Sequence, residues 1–177
     1  MESSIKLLAE ISEGSLGLSS EFEQLGDNYS LRKSARAILL NKEGNIATQY
    51  LKNYTYHKLP GGGLENGELA EEALRREIRE EVGCDSKVLA PVGMVIEYRN
   101  KYKMIHLSFC FVAEVVGGMG EPSLEEGEIE EGQVTLWLPA EDVLQNMKKD
   151  QPQKFEGHFI LKREIAFLEE YIQSARS

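Results

Sequence analysis

Three consecutive glycines, Gly61–Gly63, stand directly ahead of the most charged segment of the chain, "LENGELAEEALRREIREEVGC". No regular element can run through both, because glycine gains too much freedom outside a helix to be fixed inside one cheaply. A helix must therefore start after the glycines. From Glu68 to Val82 the composition is helical, and Leu74, Ile78 and Val82 recur every fourth position to make a core-facing stripe. Gly83 supplies the stop. The short aromatic run "YTYHKLP" before the glycines reads as a strand, so the chain is committed here to strand, sharp turn and amphipathic helix.

The remaining elements arrange themselves around that unit. "IKLLAEIS" reads as a strand or a short helix, and "EGSLGLSSEFEQLGDNYS" as irregular, so residues 1–32 form an N-terminal extension that could serve as a strand or a dimer arm. "SARAILLN" and "NIATQYLK" flank the turn signal "KEG" as a hairpin. "SKVLAPVGMVIEYR" and "MIHLSFCFVAEVV" are two long strands, the second apolar on both faces and so central. "GGMGEPSLEEGEIEEGQ" is an acidic loop leading to the strand "VTLWLP". A helix starts at Ala140, and "HFILKREIAFLEEYIQSA" is a final amphipathic helix with Phe159, Ile160, Ile165, Phe167, Leu168 and Ile172 turned to the core. Residues 33–177 thus read as one α/β domain, a mixed sheet with helices on both faces.

At about 100° per residue, Glu77, Glu80 and Glu81 fall within one arc of the helix, being related as i, i+3 and i+4. Favourable pairs explain part of the charge, Glu72 with Arg76 and Arg76 with Glu80. They do not explain the like-charged pair Glu77 and Glu81, which repels, nor Glu80 beside it. Hard divalent cations need several carboxylate oxygens converging from one side, and that pattern supplies them.

The run from Gly62 to Cys84 resembles the signature of the Nudix hydrolases, G-x5-E-x7-R-E-U-x-E-E-x-G-U, where U is aliphatic. Gly62, Glu68, Arg76, Glu77, Ile78, Glu80, Glu81 and Gly83 stand at the required gaps, and Cys84 in the last aliphatic place is the single departure. Family-like context extends from about Ala35 to Leu138. The resemblance implies an α/β/α sandwich and metal-dependent cleavage of a phosphoanhydride in a nucleoside diphosphate derivative. It further implies that Glu77, Glu80 and Glu81, with the Gly62 carbonyl, ligate Mg²⁺ or Mn²⁺. Glu68, Arg76 and Gly83 would brace the motif, with Arg76 counted also in the catalytic set. The general base would come from the signature helix or from the acidic loop, where Glu131 lies nearest the following strand. The leading substrate is a nucleoside triphosphate, oxidised or not, cut to monophosphate and pyrophosphate. ADP-ribose, nucleotide sugars and dinucleoside polyphosphates are the alternatives, and a nucleotide-sensing domain without turnover is the alternative of another class.

Charge narrows the partners. Among 177 residues the formal net charge is -10, and no Lys/Arg-rich run could track a line of phosphates, so polymeric nucleic acid is not the expected partner. A small anionic nucleotide remains admissible because a bound cation dominates the field of its own site. No stretch is apolar for the roughly 20 residues a membrane span needs. Cys84 and Cys110 read as buried small hydrophobes in a cytoplasmic protein, with a homodimer left open. His57, His106 and His158 share no metal-ligand spacing and read as structural; Tyr54, Tyr56, Tyr98 and Tyr102 read as packing residues.

Overall fold

The computed structural model describes residues 5–18 and 28–176, so the irregular reading of 13–30 falls partly outside the described residues. Among the described residues, seven strands and four α-helices follow in the order β1 (Leu7–Ser12), β2 (Ser30–Leu40), β3 (Ile46–Leu51), β4 (Tyr56–Lys58), α1 (Ala70–Val82), β5 (Cys84–Arg99), β6 (Met104–Met119), α2 (Glu126–Glu130), β7 (Gln133–Leu138), α3 (Ala140–Lys149) and α4 (Phe155–Ala175). The sheet runs β1-β5-β6-β2-β3-β4, with β7 paired to β3. It is mixed: β1 lies parallel to β5 and β2 parallel to β6, while the hairpin partners β2 with β3 and β5 with β6 are antiparallel. β6 is central, as its two apolar faces require.

Side-chain alternation sends successive residues to opposite layers. On one face Ala35, Ala37, Leu39, Ala47, Phe111 and Ala113 pack against Leu74, Ile78 and Val82 of α1. On the other, Ile38, Ile46, Val95 and Cys110 pack against Val143 and Met147 of α3 and Phe159, Phe167 and Leu168 of α4. The result is an α/β/α sandwich. Cys84 and Cys110 are both free and buried, and Cys84 joins the α1 layer as a packing residue. No helix among the described residues is long and apolar enough to cross a membrane.

Several details differ from the sequence reading. The N-terminal segment adopts the strand alternative: β1 pairs with β5, and Lys6 bonds Glu170 of α4 at 2.8 Å, so this part of the dimer-arm segment is engaged within its own chain. α1 starts two residues late because Glu68 is used elsewhere, accepting from the Glu65 N–H at 2.9 Å and from Arg76. The acidic loop contains a helical turn, α2, capped by the Glu125 N–H donating to the Glu128 carboxylate at 2.8 Å. α4 starts at Phe155, and its inner face carries two charged residues, Arg163 and Glu164, both fully buried.

Those two belong to a polar layer beneath α4. Arg163 donates to Glu97 Oε1 at 2.9 Å and to Glu164 Oε1 at 2.6 Å. Arg99 donates to Glu97 Oε2 at 2.7 Å, and His106 sits between Glu97 Oε2 at 3.2 Å and Ser34 Oγ at 2.9 Å. Burial pushes the His106 imidazole down to about 4, opposed by its bond to Glu97 and assisted by the charge of Arg163. Burial works against Glu97 as well, but Arg163, His106 and Arg99 together hold its carboxyl well below the usual range. Both effects have the same sign in acid. With its folded value below the unfolded one, His106 is protonated first in the unfolded chain, so stability falls as pH drops from 6.5 to about 4. Unfolding in denaturant at pH 7 and pH 4 should show a loss on the order of 3 kcal/mol from this residue. A His106→Gln variant should lose correspondingly less over the same interval.

Candidate active site

The glycine turn and the helix are joined by backbone and side chain at once. Pro60 and Gly62 carbonyls accept from the Ala37 and Ala35 N–H groups at 2.9 and 3.0 Å, so the turn runs beside β2 like a short added strand. Gly61 adopts φ +128, and a Cβ there would press into the carbonyl of Ala35. Its N–H donates to Glu81 Oε2 at 2.6 Å. Gly62 needs to be glycine for another reason: a Cβ would occupy the place of the Glu77 carboxylate. The turn and the helix therefore meet through the two carboxylates that head the candidate site.

Arg76 ties the motif together. It donates from Nε and Nη2 to both oxygens of Glu68 at 3.1 and 3.0 Å, and from Nη2 to the Gly63 carbonyl at 3.0 Å. Its Nη1 stands between Glu77 Oε1 at 2.9 Å and Glu80 Oε2 at 3.2 Å. Arg76 lowers the Glu68 carboxyl, and Glu68 in turn raises the guanidinium above its ordinary value. Gly83 ends the helix in the left-handed region at φ +78, and its carbonyl accepts from the Gly120 N–H at 2.7 Å.

The carboxylates sit in unlike environments. Glu81 is buried, accepting from Gly61 and from Lys58 Nζ at 3.3 Å. Burial opposes its charge, but Lys58, Arg36 and the Gly61 N–H outweigh burial and hold it below the usual range. Burial raises the Glu77 carboxyl; Arg76 opposes the rise and Glu81 adds to it. Glu80 is the open member, its side chain 40% exposed.

The acidic loop closes over the end of α1. The Ser123 N–H takes the Glu80 carbonyl at 2.7 Å and Thr135 Oγ1 takes that of Glu81 at 3.4 Å, satisfying two of the orphan carbonyls of a helix terminus. This wrap brings Glu128 within the electrostatic influence of Glu81. Burial, then the neighbouring Glu81 charge, push Glu128 up to about 7, so of two carboxyls sharing one site it is the one that holds the proton.

The Glu131 carbonyl accepts from the Asn53 N–H at 3.1 Å, and the residue's charge acts on the Tyr56 hydroxyl, which burial chiefly pushes up to about 12. Glu128, three residues earlier, is the loop carboxylate that feels the Glu81 charge. The E-x-x-E cap from Glu125 to Glu128 was the available signal, since it marks a helical turn inside the run read as a plain loop. His57 bonds Asp150 at 2.8 Å and His106 lies in the buried layer, in keeping with structural roles.

No three His, Cys, Asp or Glu side chains among the described residues are gathered closely enough to grip a metal ion as they stand. Glu81 is turned to Gly61 and Lys58, and Arg76 stands between Glu77 and Glu80. The donor set nevertheless fits a hard cation. It is all oxygen, burial disfavours the charge of Glu77, and the absence of a Cβ at Gly62 leaves the Glu77 carboxylate room against the glycine backbone.

A mixed sheet between helices, with a glycine turn set against a carboxylate-bearing helix, places the chain among α/β/α sandwich domains. The NUDIX domain model matches residues 30–158, and the chain belongs to that family of hydrolases. It is 34% identical over 83 residues to an ADP-ribose pyrophosphatase of Methanocaldococcus jannaschii, covering 45% of this chain and 49% of that protein. The chain thus spans about half the length of this relative. To an RNA pyrophosphohydrolase of Escherichia coli it is 24% identical over 143 residues, covering 70% of this chain and 80% of that one. A NUDIX hydrolase from Nitrosomonas europaea shares the fold with a TM-score of 0.61 at 17% identity, over 82% of this chain and 90% of its own.

Proposed function

We propose that this chain hydrolyses a phosphoanhydride bond in a small nucleoside diphosphate derivative, using a divalent cation held by Glu77, Glu80, Glu81 and the Gly62 carbonyl. The observation that carries the reading is the seat of Glu77 against Gly62, where any side chain would displace the carboxylate. Mg²⁺ or Mn²⁺ there would offset the charge of the diphosphate and make a water more acidic.

The protein's own groups do the rest. Arg76, anchored to Glu68 and Gly63, keeps Glu77 and Glu80 directed to one side. Gly61 and Lys58 fix Glu81. The handling of a proton falls to a carboxylate of the acidic loop, Glu128, on which the Glu81 charge acts, or Glu131 nearer β7. The leading substrate is a nucleoside triphosphate, cut to monophosphate and pyrophosphate. ADP-ribose is the second reading, favoured by the likeness to the archaeal ADP-ribose pyrophosphatase. Two free, buried cysteines suit a reducing compartment such as the cytoplasm.

A panel of nucleoside triphosphates, an oxidised triphosphate, ADP-ribose, a nucleotide sugar, a dinucleoside tetraphosphate and 5′-triphosphorylated RNA, assayed with Mg²⁺, Mn²⁺ or EDTA, tests this. Cation-dependent release of nucleoside monophosphate from a small nucleotide is expected. Binding without turnover across the panel would instead support a sensing domain, and cleavage of the RNA alone would overturn the small-substrate reading.

A further inference from the structure

Three arginines are buried in the layer between the sheet and α4, and the fold treats them differently. Arg163 and Arg99 spend their buried donors on Glu97 and Glu164. Arg36 does not: its Nε and Nη1 are buried and have no hydrogen-bond partner among the described residues. Its ion-pair partner, Glu164 Oε1, lies 3.5 Å from Nε without hydrogen-bond geometry and is already bonded by Arg163. Only 7% of Arg36 is exposed. A buried guanidinium with unused donors is costly, and the fold has the means to satisfy one nearby, as Arg163 shows.

Its position explains why it would be kept. Arg36 lies on β2 between Ala35 and Ala37, the two residues whose N–H groups hold the glycine turn. A Cβ on Gly61 would press close to the Arg36 Cα, so strand and turn touch at this point. The charges of Glu81 and Glu77 both act on Arg36. The chain therefore places a cation with unused planar donors on the strand that abuts Gly61, whose N–H is bound to Glu81, in a protein whose net charge of -10 repels its substrate.

We propose that Arg36 is a substrate-binding residue whose guanidinium donates to phosphate oxygens of the diphosphate, the anion that its unused fork is shaped to accept. The inference rests on the reading of Glu77, Glu80 and Glu81 as the phosphoanhydride site and adds the group that recognises the anion itself. Metal and arginine then share the charge of the ligand from two sides, one from α1 and one from β2.

Calorimetric titration of methylenediphosphonate, a diphosphate that cannot be hydrolysed and carries no base, tests it in the presence of Mn²⁺. Wild type, Arg36→Gln and Arg36→Lys are compared, with Mn²⁺ binding alone as the control. Arg36→Gln is expected to weaken diphosphonate binding by about 10–100-fold, the range for a lost hydrogen bond to a charged group, with Arg36→Lys between it and wild type. Mn²⁺ affinity alone should not fall, since the lost charge is positive. Wild-type diphosphonate affinity in a folded variant overturns the inference, as does an equal fall in Mn²⁺ affinity or the failure of both variants to fold, since each makes Arg36 structural. Wild type that binds Mn²⁺ but no diphosphonate overturns the phosphoanhydride reading together with this one.

Discussion

Replacing Gly62 with alanine should abolish most of the activity while leaving the fold nearly intact. The backbone at Gly62 lies outside the left-handed region, so alanine brings no conformational strain, and the atoms its Cβ would meet are the Glu77 carboxylate, the free end of a flexible side chain. The protein can yield there, but only by moving Glu77. A misplacement of about 1 Å at a reacting centre can cost roughly 100-fold in rate, and that is the loss expected in kcat. Stability should stay within about 1 kcal/mol of wild type. Gly61→Ala gives the opposite pattern. Its φ of +128 and the Ala35 carbonyl in the way put the strain into backbone, so unfolding stability should fall by more than about 2 kcal/mol. Thermal melts and steady-state rates on the two variants separate a glycine required by the site from one required by the turn.

The largest loss of stability is expected at Arg163→Met. The side chain is fully buried, and its removal leaves both Glu97 and Glu164, themselves fully buried, without their main cation. Breaking a buried pair from one side typically costs about 3–5 kcal/mol, because the remaining charge cannot reach water. For a chain of this size that is a fall in Tm of roughly 10 °C. Adding Glu97→Gln and Glu164→Gln to Arg163→Met should restore part of the loss, since the cost comes from uncompensated charge more than from the missing contact. A triple variant as unstable as the single one would mean that packing, not charge, holds α4 in place.

The local patterns carried much of this structure, and the non-local ones did not. Leu74, Ile78 and Val82 announce α1 because a helix repeats within its own sequence, and the alternation along β6 does the same for the central strand. The spacing from Gly62 to Gly83 was legible for the same reason, since turn and helix are continuous in the chain. The polar layer under α4 was not. Ser34, Arg36, Glu97, Arg99, His106, Arg163 and Glu164 are scattered over four segments, and each alone looks like a solvated residue until the sheet order brings them together. The helical turn in the acidic loop, and with it the setting of Glu128, was not legible either. A plain loop would have favoured the glutamate nearest β7, whereas the cap at Glu125 makes the segment helical and turns Glu128 to Glu81.

Binding of Mn²⁺, followed by the loss of its free electron paramagnetic signal, is the measurement closest to the central claim, that the carboxylates of α1 hold the catalytic cation. Wild type should remove Mn²⁺ from solution at a saturable site. Glu77→Gln, Glu80→Gln and Glu81→Gln, each preserving shape while removing charge, should weaken that binding and lose cation-stimulated hydrolysis in parallel. Wild-type Mn²⁺ affinity in all three variants would contradict the assignment of the site.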